Sequence, residues 1–180
     1  EYATGEFEYK THPNANPNFP FTRKIVFSTN VAESSLTVKG ASFVIDCGLA
    51  LEDIYNPLKN ANALLEKFIS KSAVKQRRGR VGRTKPGECY HLYSESELEK
   101  FPEFPIPSIQ KSNLTLDILD IMKLEYIKNI GDAKKLLNDM MSIPEKKFID
   151  SALLNLYSTG SINTNNDNAI LTDLGRAISK

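Results

Sequence analysis

Cysteine is scarce in this chain. Two of its 180 residues, Cys47 and Cys89, carry thiols. Both lie in apolar, strand-like runs, so the sequence predicts reduced core residues rather than a disulfide framework or a metal site. Histidine is equally sparse, and His12 and His91 are not spaced with the cysteines as ligands, which excludes a zinc centre. No apolar run approaches the roughly 20 residues of a membrane span. No signal peptide is visible, and the chain opens on Glu1 without a methionine; the expectation is a piece excised from a longer protein. Internal repeats and low-complexity tracts are missing too. Acidic residues are absent from one stretch in particular: Lys71 to Lys85 holds seven basic residues and no acidic one, whereas Pro86 to Glu103 holds five acidic residues and one lysine. The net charge of +1 would not by itself announce a nucleic-acid binder, but positive charge gathered into a local patch is how an electrostatic footprint usually looks.

What is present is ordinary for a globular protein, 41% hydrophobic and 25% charged, with length enough for one domain and a small second one. The first 22 residues are polar and turn-rich, apart from a short edge strand at Phe7–Lys10. Lys24 to Ser28 is a short apolar run and predicts a buried strand. Ala32 to Leu36 reads as a helical turn broken by Gly40, and Ala41 to Cys47 as a second buried strand stopped by Gly48. A strand, a crossover and a further strand predict a parallel α/β sheet. Tyr55-Asn56-Pro57 is a turn signal between the arms Leu49–Ile54 and Ala63–Ile69, which read first as a hairpin, with a helix for the second arm as the alternative. Ser72 is placed to cap a helix running towards Gly82. A turn at Thr84–Gly87 then leads to a strand at Cys89–Tyr93, with Tyr90 and Tyr93 expected on its buried face.

Composition changes at Phe101-Pro102-Glu103-Phe104-Pro105-Ile106-Pro107, a proline-spaced linker. Beyond it, Leu114, Ile118, Ile121, Met122 and Leu124 share one helical face. Phe148, Ile149, Ala152, Leu153, Leu156 and Tyr157 share another, with Pro144 in its first turn and Gly160 at its end. A small hairpin, Ser161–Asn163 with Ala169–Leu171, follows, and Thr172 caps a last helix to Ser179. Helices followed by a two-stranded wing describe a winged helix. The fold class is therefore α/β: a partial parallel sheet over 1–100, a linker at 101–107, and a mainly α winged helix over 108–180.

The most telling residues are Gln76-Arg77-Arg78-Gly79-Arg80-Val81-Gly82-Arg83. Arginines at 77, 80 and 83 would share one helical face. Guanidinium forks at that spacing suit a polyphosphate, the two glycines let a ligand approach closely, and Gln76 is placed to orient a water. The competing reading is a solvated basic helix face.

Two segments resemble a known family. Ser28-Thr29-Asn30-Val31-Ala32-Glu33-Ser34-Ser35-Leu36-Thr37-Val38-Lys39-Gly40 resembles motif V of the DEAH/RHA group of superfamily 2 helicases, and Gln76 to Arg83 resembles their motif VI. The resemblance extends over about residues 23–180. It implies two RecA-like domains with ATP in the cleft between them and RNA crossing their top, in a protein acting as a monomeric ATP-dependent RNA helicase. By resemblance, Gln76, Arg80 and Arg83 face the triphosphate, and the two arginines act as fingers. Ser35 reports the nucleotide state, and Thr29, Asn30 and Thr37 sit at the RNA backbone. Residues 52–65 form a hairpin that helps guide the strand, and the winged helix acts mainly as a buttress.

Lys39 departs from the group, which mostly has Asp there, and this affects the expected sugar contact. The wording around Glu33-Ser34-Ser35 and Gly79–Arg83 is closer to the poxviral and other large-DNA-virus RNA helicases, so a viral source is carried as an expectation. The implied location is intracellular, in cytoplasm, nucleus, viral factory or virion. Neither a G-x-G-K-T loop nor a D-E-x-H box occurs in these residues, so the cradle for ATP and the Mg2+ ligands would belong to the first RecA-like domain. The alternatives are a non-catalytic RNA-binding or scaffold module and a DNA helicase.

Overall fold

The computed structural model describes residues 4–5, 10, 12–14, 16, 18–19, 21–34, 38–83 and 85–179. In chain order its elements are α1 (Val31–Ser34), β1 (Phe43–Asp46), β2 (Leu49–Asn56), β3 (Ala61–Phe68), α2 (Lys71–Arg78), β4 (Glu88–His91), α3 (Glu95–Leu98), α4 (Thr115–Ile121), α5 (Ile130–Asn138), α6 (Lys146–Ser158) and α7 (Asp173–Ile178). They cluster into two compact units. One takes Glu1–Leu51 and Glu66–Pro105, the other Glu52–Leu65 and Ile106–Lys180.

In the first unit, β1 and β4 pair in parallel, Phe43 opposite Glu88 through Asp46 opposite His91. The chain between them includes α2, a crossover of the kind that parallel pairing demands. The expected strand at Lys24–Ser28 does not form: the segment has no regular structure, and Ile25 and Phe27 are 78% and 95% exposed. An apolar run becomes a strand only where a neighbour completes its backbone hydrogen bonds, and no strand pairs with this one among the described residues. The edge strand expected at Phe7–Lys10 falls largely on residues outside those described.

β1 forms where expected, but only alternate residues are covered. Asp46 is buried while Phe43, Ile45 and Cys47 are exposed. Cys47 is therefore not the core thiol the sequence predicts, and Cys89 is only half-buried. The period-2 pleat explains this: residues at 43, 45 and 47 share one face. Tyr90, exposed on β4, departs from its buried expectation in the same way. The core of this unit is small, made of Ile69, Ala73, Val74 and Phe101 with Ala50, Tyr93 and Leu98 against them. The Phe101 ring stacks on Phe68 at 4.9 Å and meets Tyr93 at 5.0 Å.

The second unit has a larger apolar centre. The hairpin of β2 and β3 forms as the Tyr55-Asn56-Pro57 signal predicts, and Tyr55 is buried in the core with residues of α4, α5 and α6. The turn closes through Asn60 at φ +48, a conformation asparagine tolerates better than most side chains. Along α6, Phe148, Ile149, Ala152, Leu153 and Leu156 are buried, as their spacing requires, but Tyr157 is half-exposed. Pro144 lies ahead of the helix, whose cap is Glu145. The helix ends in a Schellman motif: Ser161 N–H donates to Leu156 O at 2.8 Å and Gly160 N–H to Tyr157 O at 3.0 Å, with Gly160 at φ +72.

The hairpin expected over Ser161–Leu171 shrinks to one antiparallel bridge, Ile162 with Leu171. Asn163 Oδ1 accepts the Ile170 N–H at 3.0 Å, so a side chain takes up a ladder position. Thr172 caps α7 as predicted, accepting from Gly175 N–H at 3.0 Å. The sequence reading passed over α3 and α5, although Ser94 with Glu97 makes a capping box and Asn129 caps α5. No helix of the described residues is long and apolar enough to cross a membrane.

Candidate functional site

The basic run is built on α2. Its cap is Ser70, not Ser72: Ser70 Oγ accepts the Ala73 N–H at 3.2 Å, and the Ser72 hydroxyl is bonded to that of Ser70 at 2.8 Å. Burial explains the choice, because Ser70 is 4% exposed and must satisfy its hydroxyl internally. The first turn is tied down further, Lys71 N–H donating to Pro102 O and Ser72 N–H to Glu103 O. The helix closes at Arg78 with Gly79 as its cap, and Gly82 at φ +79 turns the chain away. Arg77, Arg80 and Arg83 therefore do not share a helical face as their spacing predicts.

Arg77 points inward. Its Nε donates to Glu33 Oε2 at 3.0 Å, and its Nη1 donates to Asp46 Oδ1 at 2.8 Å and Leu49 O at 3.2 Å. Asp46 is 2% exposed and also accepts from Gly48 N–H at 3.0 Å and from the Tyr93 hydroxyl at 2.9 Å. Burial alone would raise the carboxyl's pKa. The Gly48 N–H, the Arg77 guanidinium and the Tyr93 hydroxyl outweigh it and hold Asp46 below the ordinary value. Burial likewise opposes the charge on Arg77, but bonds to Asp46 and Glu33 raise its pKa. Burial and the bond to Asp46 push the Tyr93 phenol upward. Gly48 fits here for two reasons. It sits at φ +73, and a Cβ would stand 2.6 Å from Cδ1 of Tyr93, closer than packed atoms tolerate.

The other expected residues lie nearer solvent. Gln76 is exposed on α2; Arg80 is half-buried in the turn after it, and Arg83 is exposed. Each of these arginines folds its Nε back onto a carbonyl, Arg80 to Gln76 O at 3.4 Å and Arg83 to Gly79 O at 3.2 Å. Among the described residues no carboxylate pairs with Arg80, so its charge suits an incoming anion such as a phosphate. Thr29 and Asn30 are exposed ahead of α1 and start it, their carbonyls accepting from Ala32 N–H at 3.2 Å and Glu33 N–H at 2.9 Å. Ser35 and Thr37 lie outside the described residues. No group of three or more metal-ligating side chains gathers among the described residues.

Residues 8–85 match the family model described as the helicase conserved C-terminal domain. The chain is 39% identical over 157 residues to DExH-box ATP-dependent RNA helicase DExH3 of Arabidopsis thaliana, covering 87% of this chain and 12% of that protein. It is 37% identical over 154 residues to ATP-dependent RNA helicase DHX33 of Mus musculus, covering 86% and 21%. It is 38% identical over 157 residues to L540 of Acanthamoeba polyphaga mimivirus, whose name carries the words ATP-dependent RNA helicase, covering 86% and 22%. In fold it is similar to the DEAH/RHA helicase HrpB of Escherichia coli, with TM-score 0.74 and 24% identity over 92% of this chain and 19% of that one. The chain carries a helicase C-terminal domain. It spans between about an eighth and a little over a fifth of the curated relatives named here.

In this helicase C-terminal region the sequence reading missed the Asp46–Arg77–Glu33 network. A signal existed. A lone carboxylate ending an apolar strand, as Asp46 does, is costly unless a cation meets it. With seven basic residues in the nearby run, sequence alone does not say which one does.

Proposed function

We propose that the longer protein carrying this chain is an ATP-dependent RNA helicase. In this reading residues 1–100 form part of its second RecA-like domain, 101–107 a linker and 108–180 a winged helix. The observation that carries the proposal is the Gln76–Arg83 run. It presents an exposed glutamine and, a turn later, a guanidinium that no described carboxylate neutralises, in a chain 37–39% identical to relatives named as ATP-dependent RNA helicases. The triphosphate lies against this wall. Gln76 orients the attacking water, and Arg80 and Arg83 neutralise charge on the γ-phosphoryl group as it transfers. The phosphate cradle and Mg2+ ligands come from a first RecA-like domain elsewhere in the protein.

Thr29, Asn30 and Thr37 hold the backbone of a single RNA strand, and Ser35 responds to the nucleotide. The 52–65 hairpin guides the strand. The winged-helix reading of 108–180 is supported by its order of elements: three helices, an antiparallel bridge and a short capped helix. The assembly works as a monomer.

The test is ATP hydrolysis by the full-length protein with and without single-stranded RNA. RNA is expected to stimulate turnover more than DNA of the same sequence, since only RNA offers the 2′-hydroxyl. Arg80→Ala and Arg83→Ala are each expected to lower stimulated turnover by ~10³ or more. Normal turnover in both variants would remove the finger assignment.

A further inference from the structure

We infer that Arg77 is a positioning residue: clamped between Glu33 of α1 and Asp46 of β1, it holds the Thr29–Asn30 loop and the Gln76–Arg83 run in one register and so carries the influence of bound RNA to the ATP site. The inference rests on the proposed roles of those two segments and adds the connection between them.

The geometry points to this because of how α1 is placed. The helix is one turn long and buries no residue, so apolar packing does not fix it. It lies beside α2, which lies beside β1, and a 3.0 Å charge-assisted bond from Arg77 Nε to Glu33 ties it to α2. Glu33 stands one turn after Thr29, and its own N–H donates to Asn30 O at 2.9 Å. Any shift of the 29–30 loop on taking a ligand therefore moves the Glu33 carboxylate. On the other side, Arg77 adjoins Gln76, and its carbonyl accepts the Arg80 N–H at 3.0 Å. The guanidinium itself does not slide, because Asp46 Oδ1 and Leu49 O hold its Nη1, and Asp46 is fixed in turn by Gly48 and Tyr93. Arginine suits this position because its planar fork serves partners in two directions at once, which a lysine ammonium does less well.

A merely structural ion pair would have a different signature. Its loss would lower activity with and without RNA together, as folded protein disappears. A connection between two sites is a coupling free energy, and its loss separates the two activities.

The experiment uses the full-length protein and compares ATP turnover without RNA, ATP turnover at saturating RNA, and the thermal midpoint. Glu33→Ala cuts the tie while leaving Arg77 paired with Asp46. Its RNA-free turnover is expected to match wild type, while the ratio of stimulated to RNA-free turnover falls about tenfold. Glu33→Gln keeps an oxygen acceptor for Arg77 Nε and is expected to recover part of that ratio. Should Glu33→Ala unfold, Glu33→Gln against wild type decides alone. An unchanged ratio in a folded variant, or a parallel loss of both rates, would overturn the inference. A wild-type protein that RNA does not stimulate would instead overturn the function proposed above.

Discussion

The two units of this chain solve burial differently. The second gathers seventeen buried residues into one apolar cluster, drawn from the hairpin and every helix from α4 to α6. Among the described residues the first has four such residues, and its best-buried charged group is Asp46. Its sheet leaves Phe43, Ile45 and Tyr90 more than half exposed. Where the second unit is fixed by shape, the first is fixed by directed bonds around one guanidinium. Directed bonds suit a region that must keep two exposed segments aligned. A packed core suits one that only has to hold its form.

Four substitutions would break or sharpen that contrast. The largest effect is expected from Asp46→Asn, which leaves Arg77 buried with its main partner lost and should destabilise the first unit by about 3–5 kcal/mol. Hydrogen exchange of amides in each unit would read this, since local opening is seen residue by residue. The effect should also depend on pH. Asp46 holds its proton less tightly folded than unfolded, so its contribution is fully present above about pH 4, the unfolded value. The contribution is lost as pH falls through the lower folded value. Wild type should show this acid limb, and Asp46→Asn should flatten it.

Next comes Leu156→Ala, which empties part of the second unit's centre, where Leu156 is 1% exposed; about 2–5 kcal/mol is expected. The control is Phe43→Ala on the uncovered sheet face, which should change stability by no more than about 0.5 kcal/mol. Equal losses for the pair in denaturant unfolding would refute the contrast.

A smaller loss than that of Leu156→Ala is expected from Tyr55→Phe. The Tyr55 hydroxyl lies 2.7 Å from Asn60 Oδ1 and 2.7 Å from Ser151 Oγ, tying the hairpin turn to α6. Removing it keeps the ring in place and should cost about 1 kcal/mol, visible as faster exchange of amides at 58–60. No change there would mean that the ring alone fixes the turn.

Legibility followed the same division. In the second unit, period and punctuation marked much of the fold, although α5 was passed over and the hairpin at 161–171 shrank to one bridge. The spacing of Phe148 to Leu156 gave α6, Gly160 its end, Thr172 the next cap, and Asn56-Pro57 the hairpin turn. Such signals are local. In the first unit, the apolar run at Lys24–Ser28 signals a wish for burial but not the neighbour that provides it. Phe43 and Ile45 mislead for the same reason. Ser70 and Ser72 are equally good caps on paper, and only burial separates them. The three arginines show the limit most clearly: spacing cannot foresee that the helix stops at Arg78, or that Arg77 turns inward while Arg80 and Arg83 stay near the surface. The family motif marked the run as functional, whereas the division of labour within it needed coordinates.

Position 48 shows how far a small change would travel. A single methyl group there meets both an unfavourable backbone angle and the Tyr93 ring. Displacing that ring would withdraw its hydroxyl from Asp46, loosening the anchor of Arg77. The smallest possible enlargement of the first unit would thus be felt, three side chains away, where α1 begins.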